Sequence, residues 1–173
     1  RQKMNKNYDR CLTMLLKHEG GYVNDPNDAG GRTNLGVTQK VYENWVEREV
    51  TEQEMRDLTI EDVAPIYKNN YWDRGKCDDL PSGVDWCIFD WGVNSGMSRS
   101  AKALQRIVGV EADGGIGPMT LQAVNDFYPL EIITKMHLSR QHFYESLDNF
   151  VNFGRGWTRR NNETKETALE MLD

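Results

Sequence analysis

The chain has 173 residues, 38% of them hydrophobic and 28% charged, with a formal net charge of -6. That composition belongs to a soluble globular protein long enough to bury a core. The acidic balance argues against nucleic acid as the main partner, which demands a basic face, but leaves room for a local basic patch. No apolar run approaches the roughly 20 residues of a membrane-spanning helix, so membrane insertion is not expected.

Met4 reads as a natural start preceded by three residues. No apolar signal-peptide core follows it, so export is expected to depend on another protein. Periodicity places a first helix from about Asn7 to His18, with Cys11, Leu12, Leu15 and Leu16 as its apolar stripe. Gly20 stands where a left-handed C-cap belongs, which puts Glu19 in the last turn. The helix dipole is negative there and disfavours a carboxylate's ionised form.

From Tyr22 to Thr38 the turn formers Asn24-Asp25-Pro26, Asn27-Asp28 and Gly30-Gly31 predict a small irregular antiparallel hairpin. Thr38 caps a helix running to about Arg48. Thr51-Glu52-Gln53-Glu54 is a capping box, and Thr59-Ile60-Glu61-Asp62 starts another helix that Pro65 should kink or delay. The segment 84–93 is apolar nearly all round, the mark of a buried central helix. Asn94-Ser95-Gly96 ends it, and Ser98 caps the next. Pro118 and Pro129 each open a helix at the first position. After Gly154 and Gly156 a charged last helix starts near Trp157. The sum is an α+β protein, mostly α, with a small N-terminal hairpin and a buried central helix.

Three cysteines, Cys11, Cys77 and Cys87, have no metal-like spacing, and their odd number suits a reducing compartment. Cys11 and Cys87 read as small buried hydrophobes. His18, His137 and His142 lie in no metal motif, so neither a metal nor any other cofactor is expected.

The informative chemistry lies between Glu19 and Thr38. Glycoside hydrolysis needs a protonated acid at the leaving oxygen and an opposing group that activates water or stabilises the cation. Glu19, at a helix end and packed near Tyr22, suits the first role. Asp28, in a solvated turn, suits the second. The Thr33 hydroxyl can help hold the attacking water. Taken singly, each has a plainer reading as a surface acid, a turn former and a strand residue.

Taken together, Glu19-Gly20-Gly21-Tyr22, Asp28-x-Gly30-Gly31-x-Thr33 and Gly36-Val37-Thr38 resemble the catalytic block of glycoside hydrolase family 108, the phage-type N-acetylmuramidases. The likeness continues through Phe89-Asp90, Asn94-Ser95-Gly96, Asp113-Gly114, Gly117-Pro118, Thr120, Gly156-Trp157 and Arg160. Ala29 and Arg32 depart from the frequent proline and alanine, and neither change removes a catalytic group.

The resemblance implies a lysozyme-like fold and cleavage of the β-1,4 bond between N-acetylmuramic acid and N-acetylglucosamine. It implies inversion, with Glu19 as general acid and Asp28 and Thr33 positioning water. Tyr22, Asp90 and Asn94 are expected to contact substrate. Residues 4–173 are expected to form one compact unit, 4–96 a catalytic lobe and 97–173 a helical lobe. The Asp113–Thr120 run resembles a peptidoglycan-binding motif, although a purely structural turn explains it as well. Trp91, Tyr71 and Trp72 suit either a sugar cleft or the core.

The expected partner is the peptidoglycan glycan strand, met by a monomer. As an endolysin it would wait in the host cytoplasm and reach the periplasm and wall with a separate pore-forming protein. A muramidase serving secretion or wall remodelling, or a non-catalytic wall-binding module, would share most of these features. No zinc-ligand set or Cys/His pair suggests an amidase or endopeptidase.

Overall fold

The computed structural model describes residues 2–27 and 31–172. In chain order the elements are α1 (Gln2–Leu16), β1 (Val23–Asn24), β2 (Arg32–Asn34), β3 (Val37–Thr38), α2 (Gln39–Val46), α3 (Glu52–Arg56), α4 (Ile60–Tyr67), α5 (Val84–Ser95), α6 (Met97–Val108), α7 (Pro118–Val124), α8 (Pro129–Glu145) and α9 (Phe150–Glu170). The protein is α+β and mostly α, as its periodicity predicts. The three short strands make one antiparallel sheet in the order β1-β2-β3, one strand more than a hairpin.

Contacts cluster the chain into two compact units, Tyr8–Asn70 and Tyr71–Asp173 with Arg1–Asn7. In the first, Cys11, Leu12 and Leu15 of α1 are buried, as are Val37, Met55, Val63 and Ile66. The Tyr8 hydroxyl donates to the Ala64 carbonyl of α4. Both capping boxes form: Thr51 with Glu54 opens α3, and Thr59 with Asp62 opens α4. Pro65 does not delay α4, which starts at Ile60 behind its Thr59 cap with the proline inside it. Val63, Ile66 and Tyr67 are buried around it, and the helix runs through to a π-turn at Lys68–Trp72.

In the second unit α5 is the buried centre. It packs against α6, α8 and α9, and every residue from Val84 to Gly92 is buried. Trp72 meets Phe89 edge-on at 5.3 Å. At the N-terminus of α5, Asp85 accepts from the Gly83 and Trp86 amides at 2.9 and 2.7 Å and from Asn7 Nδ2 at 2.9 Å. Burial pushes its carboxyl up to about 6. Cys11, Cys77 and Cys87 are all buried thiols.

Several boundaries differ from the sequence reading. Helix α1 ends at Leu16, because the amides of Lys17 and His18 turn to carbonyls three residues back and tighten the chain. Gly20 is not left-handed. Helix α6 starts at Met97 behind Gly96, so Ser98 lies inside it rather than capping it. Helix α9 begins at Phe150 and passes through both glycines. A Cβ on Gly154 would sit 2.6 Å from Phe150 ring atoms, so the glycine there makes room for a ring and does not break the helix.

Candidate active site

In the Tyr8–Asn70 unit, β2 and β3 are joined by Leu35-Gly36, with Asn34 opposite Val37. Both loop residues have positive φ, 52° and 77°, as a two-residue type I′ turn requires. Leucine is an unusual occupant of that conformation. The Tyr67 hydroxyl braces the turn by donating to the Leu35 carbonyl at 2.8 Å.

Glu19, half-buried in the bend after α1, lies against this turn. A Cβ on Gly36 would come within 3.1 and 3.2 Å of Glu19 Cγ and Cδ and would overlap Tyr67 Oη. The glycine is required twice, by its backbone conformation and by this approach. The carboxylate is thus seated by a hairpin turn and not by the end of a helix.

Thr33 stands on the central strand of the same sheet, opposite Val23 on β1 and Thr38 on β3. Its neighbours Arg32 and Asn34 project to the other face. Asn34 is buried and donates to the Met55 and Arg56 carbonyls of α3 at 2.9 and 3.2 Å. Arg32 donates to Gln39 Oε1 at 3.0 Å. These bonds anchor one face of β2, so the half-buried Thr33 side chain takes the opposite face. The structure therefore brings Glu19 to the hairpin that carries Thr33. Asp28 lies outside the described residues. The Asp25 carboxylate accepts from the Asn27 amide at 2.9 Å, starting the β1–β2 connection with an Asx turn.

Tyr22 is held by α3. Its hydroxyl donates to Glu52 Oε2 at 3.1 Å, and the Arg56 guanidinium stands 4.2 Å over its ring. Hydrogen bonds from Arg56 and then Tyr22 hold the Glu52 carboxyl below its ordinary range.

Asp90 and Asn94, both on α5 in the other unit, part company. Asp90 is 0% exposed. It binds Arg140 Nη1 at 2.8 Å, Arg160 Nη2 at 2.9 Å and the Thr164 hydroxyl at 2.9 Å. A carboxylate so enclosed ties α5 to α8 and α9, and this setting supports a structural role over direct sugar contact. Asn94 is exposed, and its Oδ1 accepts from the Tyr144 hydroxyl at 2.6 Å. Tyr144 in turn accepts from Arg140 Nε at 2.9 Å, so Asn94 is held by the outer end of the buried ionic cluster.

Trp91 is 2% exposed and belongs to the core. In the Asp113–Thr120 run, buried Gln105 donates to Asp113, the Gly115 carbonyl and Thr120, and accepts from the Gly114 amide. Its polar groups thus bind its own backbone and α6. The reading of the sequence missed Leu35 and Tyr67. A strained leucine before Gly36 was the available signal for the first. Tyr67 is 32 residues from the turn it braces, and no local pattern marks it.

Comparison with known proteins fits this arrangement. Residues 12–96 match the family described as Glycosyl hydrolase 108, and residues 99–162 match the Predicted Peptidoglycan domain. The matches meet between α5 and α6, inside the second compact unit. The solved structure of SagA from Brucella abortus is similar, with 37% identity and a TM-score of 0.84, over 96% of each chain. No curated protein matches. With the Glu19 block inside the first match and 37% identity over 96% of each chain, the chain belongs to glycosyl hydrolase family 108 and is a glycoside hydrolase of peptidoglycan.

Proposed function

We propose that the protein is an N-acetylmuramidase that cleaves the β-1,4 bond between N-acetylmuramic acid and N-acetylglucosamine with inversion. The observation that carries the proposal is Glu19 seated against Gly36 in the hairpin that bears Thr33. Glu19 delivers the proton to the leaving oxygen. Asp28 and Thr33 hold and activate the water on the opposite face of the sugar, the division of labour that inversion needs. Asn94 offers its amide to the substrate, and Tyr22 helps shape the site from the sheet side. Asp90 positions Asn94 through Arg140 and Tyr144 and does not itself touch sugar.

The biological role we favour is release of phage progeny as an endolysin, acting as a monomer on the wall after passage through a separate pore. The likeness to a protein from the bacterium Brucella abortus supports a second role, wall remodelling by a bacterial enzyme.

Mass spectrometry of borohydride-reduced digestion products tests the bond. Reduced N-acetylmuramic acid ends are expected. Reduced N-acetylglucosamine ends would reject the specificity, and new amino groups would reject glycan cleavage. Glu19→Gln keeps shape but cannot donate the proton, so turnover should fall by roughly 10²–10⁴. Near-parental turnover would remove Glu19 from the acid role.

A further inference from the structure

The chain is acidic overall, yet the unit Tyr71–Asp173 holds a cleft of about 990 Å³ with no carboxylate in its lining. Its cations are Arg99, Lys102, Arg106 and Lys135, from α6 and α8. Arg99, Lys102 and Arg106 follow one another at spacings of three and four residues, along one face of α6. Among the described residues, none of these three has a carboxylate within 4.0 Å, whereas Lys135 pairs with Glu131 at 3.1 Å. Like charges aligned on a helix face repel, and no carboxylate in the cleft wall offsets them.

A second observation is independent of charge. Trp91 lines the same cleft and is 2% exposed, and its indole N–H is buried without a hydrogen-bond acceptor. Such donors are rarely left unmatched in a folded protein. The rest of the wall is apolar, including Ile107, Leu138 and Phe143, with the Arg99 guanidinium 4.0 Å over the Phe143 ring.

A cleft this large lies at the top of the range for bound small molecules, about 300–1,000 Å³, and takes more than a single ion. Its chemistry calls for a short ligand in which small apolar groups alternate with free carboxylates. We propose that this cleft binds the acidic stem peptide of peptidoglycan, so that the enzyme reads the peptide as well as the glycan. The proposal rests on peptidoglycan cleavage as the protein's reaction. It gives the α6 cations a ligand.

The test uses the full chain and two probes: a disaccharide carrying its intact stem peptide, and the same disaccharide with the peptide removed. By isothermal titration the parent should bind the peptide-bearing probe about tenfold more tightly, with the preference shrinking as salt is raised. The triple variant Arg99→Gln, Lys102→Gln, Arg106→Gln should lose the preference. The charge-preserving variant Arg99→Lys, Lys102→Arg, Arg106→Lys should keep it, which separates charge from folding. Equal affinity of the parent for both probes overturns the proposal, and so does a preference that survives neutralisation. Binding to phosphatidylglycerol vesicles through the same cations, without a peptide preference, overturns it in favour of a phosphate ligand. Reducing-end release from walls is measured alongside. Its absence counts against the muramidase reading, and loss of the peptide preference counts against the cleft alone.

Discussion

Replacing Asp90 by asparagine should destabilise the protein severely, and the structure gives the scale. The carboxylate is wholly buried and compensates Arg140, itself only 2% exposed, at 2.8 Å, and Arg160 at 2.9 Å. Asparagine keeps the volume and one acceptor but leaves the Arg140 charge enclosed without its anion. Breaking a buried pair from one side costs about 3–5 kcal/mol. At this chain length each kcal/mol shifts the midpoint by about 2–4 °C, so Tm should drop by roughly 6–20 °C. Circular dichroism at 222 nm, pH 7, reads it directly. Arg160→Gln should cost less, since that side chain keeps 16% exposure and Arg140 still faces Asp90. The decisive comparison adds Arg140→Met to Asp90→Asn. Removing the stranded charge should recover part of the loss, making the double variant more stable than Asp90→Asn alone. Losses that simply add, or an Asp90→Asn midpoint within 2 °C of the parent, would refute the electrostatic reasoning.

Asp85 and Asp90 should impose opposite pH dependences. Burial raises the Asp85 carboxyl from 3.8 to about 6, so its contribution is fully present below pH 3.8 and disappears as pH rises through 6. That amounts to about 3 kcal/mol. Urea titrations between pH 4 and 7 should show Asp85→Asn flattening this decline, and an unchanged slope would count against it. For Asp90, burial acts upward but Arg140 and Arg160 outweigh it and hold the group below its ordinary value. Its contribution is therefore present above about pH 4 and lost as pH falls through the folded value. Gly36→Ala forces a Cβ into Tyr67 and Glu19 at positive φ, at a cost of about 1–3 kcal/mol. If Glu19 is the acid, kcat should fall by about 10²-fold, beyond the loss explained by unfolding. Normal turnover of the folded fraction would show that the turn does not seat the acid. We also propose that the chain unfolds as one cooperative unit. A fragment ending at Gly96 strips α6, α8 and α9 from α5 and should aggregate, whereas a soluble active fragment would establish an autonomous catalytic lobe.

Where the signal was local, the sequence was readable. The capping boxes at Thr51 and Thr59 and the Thr38 cap bond within a few residues of themselves, the two N1 prolines act through their own fixed φ, and each element starts where they predict. Helix α5 was legible because no amphipathic surface helix is apolar all round. The errors came where a distant neighbour decides. Gly154 looks like a break until the Phe150 ring is seen beside it, and Pro65 looks disruptive until its buried neighbours are counted. Asp90 and Asn94 share a helix face by spacing. One is enclosed by arginines from α8 and α9 and the other reaches solvent, a difference set 50 and 70 residues away. The Glu19 block was visible as a pattern, but its support by Tyr67 depends on a contact that no short-range rule encodes.

The three buried thiols bear on how the enzyme meets changing redox conditions. Cys87 has its thiol pushed up to about 12 by burial, so almost no thiolate exists to react with an oxidant, and Cys11 and Cys77 are likewise shielded. Thiols so enclosed keep the same covalent structure under reducing and oxidising conditions alike, with no bridge to form or break. It also follows that labelling by Ellman's reagent should track the opening of the packed interior, giving a clock for unfolding that needs no engineered probe.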